Sequence, residues 1–377
     1  MKKVFQKTTL KLFPPSLILS GLIAIIILPS CQKNIHEIKS EPQVAKASKS
    51  FKDFTQVNLV ANNDEYGAAV VDPNLINGWG IAFSSGGTAW VSAADNGVST
   101  VYNREGVIQG ISPVKIPSPG ATSGGAPSGQ FFNSTTSDFK LLNGNKAAFI
   151  FAGLDGVISG WNGGAAAIKM IDSSSSHAVY TGITLGADGG ANFIYAANFS
   201  MGRIDVFDKD WKSVSTKPFW DPAIPAGYAP FNIQNIGGKL YVMYAKVDPE
   251  EHEEEKGPGL GYVDVYNTNG TLDKRFTSRG QLNAPWGIAK APASFFGDDE
   301  DAQPAILIGN FGDGHINAYS LDGVFLKELR THGAPLVIDG LWAIMFPPST
   351  STIDPNRLYF AAGPEDEEDG LFGYIIK

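Results

Sequence analysis

The sequence predicts an all-β fold, a six-bladed β-propeller of four-stranded antiparallel blades whose last blade is closed by the N-terminal strand. Three observations carry this. First, one short phrase of apolar residues closing on an aromatic recurs six times, ending at Tyr102, Trp161, Phe207, Tyr266, Tyr319 and Tyr374. These aromatics stand 59, 46, 59, 53 and 55 residues apart, a period that suits propeller blades rather than helical solenoids. Second, 43 glycines and 23 prolines match a chain of many short strands and tight turns, and no stretch sustains a helical period. Third, the sixth unit stops at Lys377 after its third strand, while Phe54-Thr55-Gln56-Val57-Asn58-Leu59-Val60 reads as an outer strand without a blade. Placing that strand in the last blade closes the ring and removes two exposed edges.

The elements follow in order. Lys2, Lys3, Lys7 and Lys11 precede an apolar run over 17–28, which is too short for a stable membrane span and has the form of a signal segment. Leu28-Pro29-Ser30-Cys31 then resembles the lipobox of bacterial lipoproteins, in which Cys31 becomes the lipidated first residue. The expected organisation is a lipoprotein signal peptide over 1–30, a flexible tether with lipidated Cys31 over 31–50, and the propeller over 51–377. The expected place is the bacterial cell envelope, at the outer membrane or cell surface, with the membrane a partner through the lipid anchor. Removing residues 1–30 leaves 25 basic against 38 acidic residues, a formal charge of −13. Such a body repels nucleic acid and anionic lipid surfaces, so neither is expected as a partner. Cys31 is the single cysteine, so no intramolecular disulfide forms and stability rests on the core.

Inner strands are expected over 79–82, 231–234, 286–289 and 342–345, and second strands over 88–91, 148–152, 192–196, 240–244, 305–309 and 358–361. The recurrent phrase supplies the third strands. Asn103-Arg104-Glu105-Gly106, Asn162-Gly163-Gly164, Asn267-Thr268-Asn269-Gly270 and Leu321-Asp322-Gly323 are turns from third to fourth strand. Pro285-Trp286-Gly287-Ile288-Ala289, and Ile194-Tyr195-Ala196-Ala197-Asn198 with Gly202-Arg203-Ile204-Asp205-Val206-Phe207, resemble NHL-type repeats. The body from Phe54 to Lys377 resembles an uncharacterised family of secreted bacterial six-bladed propellers. The resemblance is most specific at Ser128-Gly129-Gln130-Phe131-Phe132-Asn133 and at Gly363-Pro364-Glu365-Asp366-Glu367-Glu368-Asp369-Gly370-Leu371-Phe372-Gly373. It implies a fold and an envelope location, and no reaction.

In a blade, the loops from second to third strand share one face with the loops between blades. Here those second-to-third loops lie near 94–97, 154–156, 198–202, 248–256, 310–314 and 364–369, and each carries a carboxylate or carboxamide. Asp95, Asp155, Asn198, Asn310 and Asp313 are therefore ligand-binding candidates, and Asp155, Asn198 and Asp313 candidate metal ligands. Oxygen-only donors suit calcium or a polyhydroxylated ligand; the same residue types also form ordinary turns. Two loops on this face add acidic runs, 250–255 and 365–369, and a third run, 298–301, falls on the opposite face; such runs are commonly solvated tips. Trp286, with Trp79, Phe231 and Trp342, recurs on inner strands, suited either to stacking on a sugar at the channel mouth or to packing between blades. His315 follows Asp313-Gly314 and is a candidate for facing the axis, or a plain strand-edge residue.

No nucleophile elbow, phosphate-cradling glycine motif or helical zinc pair is present. The expected function is accordingly a binding or scaffold module that holds a small ligand, glycan or protein on its Asp/Asn-rich face. The alternative is a metal-dependent hydrolase similar to gluconolactonases, acting at the central channel. That resemblance implies a metal-ligating Glu ahead of the first inner strand, where this chain has Asn74-Leu75-Ile76-Asn77-Gly78-Trp79.

Overall fold

The computed structural model describes residues 51–297 and 302–377. The chain divides into two units, Met1–Ser40 and Glu41–Lys377, and every described residue belongs to the second. The signal segment, Cys31, the tether and the acidic run 298–301 lie outside the described residues.

Six antiparallel sheets succeed one another as the blades of a β-propeller. Blade 1 runs Gly78–Phe83, Ala89–Ala93, Val98–Tyr102 and Val114–Lys115, and blade 2 Pro127–Phe132, Phe149–Gly153, Val157–Trp161 and Ile168–Asp172. Blade 3 is Tyr180–Asp188, Ala191–Asn198 and Arg203–Asp208. Blade 4 is Tyr228–Ile236, Lys239–Val247, Gly261–Asn267 and Leu272–Ser278, with the short Glu254–Glu255 added beside its second strand. Blade 5 is Pro285–Ala291, Ala305–Asn310, Ile316–Tyr319 and Phe325–Glu328. Blade 6 is Leu341–Met345, Leu358–Ala362 and Leu371–Ile376, completed by Thr55–Ala61 and, parallel to it, Val70–Val71.

The N-terminal strand thus closes the ring as the sequence predicts. It pairs antiparallel with Leu371–Ile376, Thr55 opposite Ile376 and Ala61 opposite Leu371, and buries Leu59, Val60 and Ala61. Asp369 secures the segment that follows, accepting hydrogen bonds from Asn62 Nδ2 at 2.7 Å, Asn63 Nδ2 at 2.9 Å and the Tyr66 hydroxyl at 2.6 Å. Against the cost of burial, these donors hold the Asp369 carboxyl below its usual range.

Blade 3 departs from the four-stranded template. Its outer strand shrinks to a bridge between Phe207 and Ser213, because the chain then leaves the sheet and inserts Phe219 between the rings of Tyr195 and Tyr266. The inner strands of blades 2 and 3, Pro127–Phe132 and Tyr180–Asp188, carry no Trp-Gly signature and are not among the inner strands expected from the sequence.

The inner strands crowd the axis. A side chain on Gly80 would lie 2.4 Å from the Ser128 carbonyl oxygen of blade 2, and one on Gly287 would lie 2.6 Å from the Trp342 carbonyl oxygen of blade 6. Only glycine permits that approach. What remains between the six inner strands is a void of ≈ 10 Å³, about the room of one water. The axis is a packed core, so ligand chemistry belongs at its ends.

Candidate functional site

The expected oxygen-bearing residues are spread over four blades, and most of them serve their own loops. Asp95 is exposed and accepts a long contact from Asn77 Nδ2 at 3.4 Å. Asp155 Oδ1 takes the Val157 amide at 3.2 Å, and burial raises its carboxyl above the usual range. Asn198 is fully buried; its Nδ2 donates to Asp205 at 2.7 Å and its Oδ1 accepts the Val179 amide at 3.3 Å. Asn310 and Asp313 are the pair the structure brings together, Asn310 Nδ2 donating to Asp313 Oδ1 at 3.1 Å. Asp313 Oδ1 also takes the His315 amide, and its Oδ2 takes Asn283 Nδ2 at 3.1 Å. His315 sits at a strand edge, bridged to Val337.

These residues do not fit a shared metal ion. Asp155, Asn198 and Asp313 lie on blades 2, 3 and 5, with Asp155 Oδ1, Asn198 Oδ1 and both Asp313 oxygens taken by nearby donors. Among the described residues no group of three or more His, Cys, Asp and Glu is placed to hold a metal. The segment leading into the first inner strand offers Asn77, whose Oδ1 accepts the Trp342 indole N–H at 3.1 Å, in place of a carboxylate. No step through calcium or zinc follows from this arrangement.

The inner-strand aromatics pack against each other instead of opening to solvent. Trp79 stacks on Trp342 with centroids 3.7 Å apart, and Trp342 on Phe311 at 3.8 Å. Trp286 stands edge-on to Trp79 and Trp342, is 4% exposed, and donates its indole N–H to the Thr181 carbonyl at 3.0 Å. Trp286 is therefore a structural plug and not a ligand-stacking surface, because its ring faces and its one donor are already used.

What opens on this face is a cavity of ≈ 120 Å³ between the loops of blades 4, 5 and 6, lined by Lys256, Phe311, Asp313, Asp339, Asp366 and Glu367 among others. Two of its acids, Asp366 and Glu367, come from a run that reads as a solvated tip. The reason lies in the backbone. Glu254–Glu255 pairs with Lys246 and Val247, and Lys246 Nζ binds Glu255 at 2.6 Å. Alternation along a strand then sends Glu254 to the opposite side, where burial pushes its carboxyl up to about 7 with help from the charge of Glu367. Glu365, Asp366 and Glu367 occupy three successive left-handed conformations, with φ of 54°, 53° and 70°. Such a turn costs about 1–2 kcal/mol per residue. It leaves Glu367 half-buried, its Oε1 buried without a hydrogen-bond partner. Burial raises the Glu367 carboxyl as well, offset in part by the nearby polar groups of Asn77 and Trp342 and the charge of Lys256.

Sequence reasoning found Asp313 and missed Lys256, Asp339, Glu254 and Glu367 as site residues. An alternating reading of Glu253-Glu254-Glu255-Lys256 as a short strand would have singled out Glu254.

No protein-family model matches the chain. Two uncharacterised proteins of Acanthamoeba polyphaga mimivirus are each 32% identical to it, over 85% of this chain and 80% and 86% of their own lengths. The chain belongs to their family. These relatives are viral, so the resemblance to bacterial secreted proteins extends, on this comparison, to the propeller alone. A structural-genomics protein of unknown function from Bacteroides thetaiotaomicron shares the fold, with a TM-score of 0.52, 11% identity, and coverage of 86% of this chain and 76% of that one. Its low identity speaks to fold and to nothing finer.

Proposed function

We propose that this chain is a binding propeller that seats a small polar ligand, or the tip of a partner, in the cavity at the loop face of blades 4 to 6. The observation that carries the reading is a concave, carboxylate-lined cavity in which Glu367 keeps a buried oxygen without a donor. An unmet acceptor of this kind costs about 1–3 kcal/mol. A ligand donor would recover it. Three left-handed residues sustain the same loop, and strain of this sort concentrates where a chain is shaped for contact. The packed axis, and the amides that take Oδ1 of Asp155 and of Asn198, favour this reading over hydrolysis at the central channel. We also propose that lipidation of Cys31 holds the protein at a cell envelope, a reading supported by the basic and apolar leader and the residues Leu28-Pro29-Ser30-Cys31.

The test of binding is a thermal-shift panel of monosaccharides, amino acids and short amines on the full chain. A ligand at 100 times its dissociation constant adds about 2.7 kcal/mol of stability. At least one member is expected to raise the melting temperature of wild type and to lose that effect in an Asp366→Asn, Glu367→Gln double variant. No shift in wild type, or an equal shift in the variant, overturns the assignment.

A further inference from the structure

The cavity has a cation at its mouth already, and the chain supplies it. Phe311 is 4% exposed because both of its faces are covered. Trp342 stacks on one face at 3.8 Å and 18°, itself backed by Trp79. The Lys256 ammonium caps the other face, 4.4 Å from the ring centroid. An ammonium over an aromatic face is held by the ring's negative quadrupole, and here the ring is the end of a three-ring stack that fixes its position.

The surroundings are matched to a cation beyond Lys256. Asp313, Asp339, Asp366 and Glu367 line the same cavity, and Glu367 Oε1 is buried without a partner. Lys256 is exposed, and among the described residues it forms no salt bridge and no hydrogen bond, so the unpartnered Oε1 of Glu367 keeps its capacity for another positive group. Lys256 belongs to a loop whose neighbours Glu250 to Glu253 are turned by the Asp248 carboxylate and lie at the surface, so its side chain can swing away without disturbing a strand. A body of formal charge −13 after loss of residues 1–30 concentrates cations around itself.

We propose that this cavity takes the alkylammonium head of a ligand, which displaces Lys256 from the face of Phe311 and donates to Glu367. The inference rests on the binding reading above and names its ligand class. In this arrangement Lys256 is a resident competitor, covering an apolar ring that would otherwise stand open to water, and Glu367 is the acceptor that the incoming head group satisfies. Two substitutions in one cavity then act with opposite sign. Removing the competitor strengthens binding and removing the acceptor weakens it.

The probes are butylammonium chloride and, as its uncharged counterpart, n-butanol, titrated calorimetrically into the full chain at fixed ionic strength. Butylammonium is expected to bind saturably and butanol not. Lys256→Ala should tighten butylammonium by about tenfold, the scale of one cation–π contact, and Glu367→Gln should weaken it by a similar factor. Lys256→Met, which keeps the apolar stem, should behave as Lys256→Ala does. A blocked lysine tripeptide forms the second arm: tighter binding than butylammonium places the head group on a protein, weaker binding on a free amine, and either supports the inference. Equal affinity of wild type and both Lys256 variants, or butanol binding as well as butylammonium, overturns it. If an uncharged member of the earlier panel binds through Asp366 and Glu367 while butylammonium does not, this inference fails and the binding reading stands; if nothing binds, both fail.

Discussion

Glu254 should make the protein less stable as pH rises, and a Glu254→Gln variant isolates the effect. Burial and the neighbouring charge of Glu367 push the carboxyl from 4.5 up to about 7 in the folded chain. The folded value lies above the unfolded one. Below pH 4.5 both states hold the proton and nothing is lost. Between 4.5 and 7 the unfolded chain ionises while the folded chain keeps its proton, so stability falls, and above 7 the loss is complete. At about 1.4 kcal/mol per pKa unit, the loss reaches up to about 3 kcal/mol. Glutamine carries no charge at any pH and lacks this slope. For the described domain of about 330 residues, an unfolding entropy of about 2 cal/mol/K per residue turns that difference into roughly 4 °C. Paired melts of wild type and Glu254→Gln at pH 4.5 and pH 8 give the answer. The variant should match wild type, or fall slightly below it, at pH 4.5 and exceed it by a few degrees at pH 8. A difference between the two proteins that is the same at both pH values would refute the buried-carboxylate argument.

Further expectations concern the ends of the chain. A protein beginning at Phe51 should melt as the chain without residues 1–30 does, whereas one beginning at Asn62 loses Thr55–Ala61, bares the edge of Leu371–Ile376 and should melt far lower or fail to fold; equal melting temperatures would remove the clasp from the stability argument. Cys31→Ala should release the protein from the membrane fraction, since a hydrocarbon anchor contributes about 0.8 kcal/mol per buried methylene, and unchanged fractionation would end the lipoprotein reading.

The ring was readable because propeller blades repeat a pattern, and repetition survives the noise of any one strand. Trp79, Trp286 and Trp342 marked three inner strands by their Trp-Gly or Trp-Ala pairs, and the blade lacking a partner for residues 54–60 named its own closing strand. The site was less legible for a physical reason. Asp155 and Asn198 have the same composition whether they face a ligand or a neighbouring amide, and only the fold shows that Oδ1 of each is taken by the amide of Val157 or Val179. Glu254 and Glu367 lie inside runs of like charge, where composition speaks for solvent. Their inward turn depends on a two-residue ladder and on three left-handed residues that no local propensity announces. Trp286 was open in both directions, since an aromatic at a channel mouth and an aromatic plugging it share one sequence.

The pairing of Thr55–Ala61 with Leu371–Ile376 sets the order in which the molecule can be finished. A ribosome delivering about 5–20 residues per second needs roughly 15–60 s to pass from the first of these strands to the second. Throughout that interval the opening strand, with Leu59 and Val60, has no partner on its blade, and the growing arc of blades ends in a bare edge. Closure joins segments about 310 residues apart, among the longest loops a single domain can ask its chain to close, and it comes last. A nascent chain is thus a template for β-pairing with its neighbours until its closing strand arrives, and a partner that shelters the opening strand would act on yield without touching the finished fold.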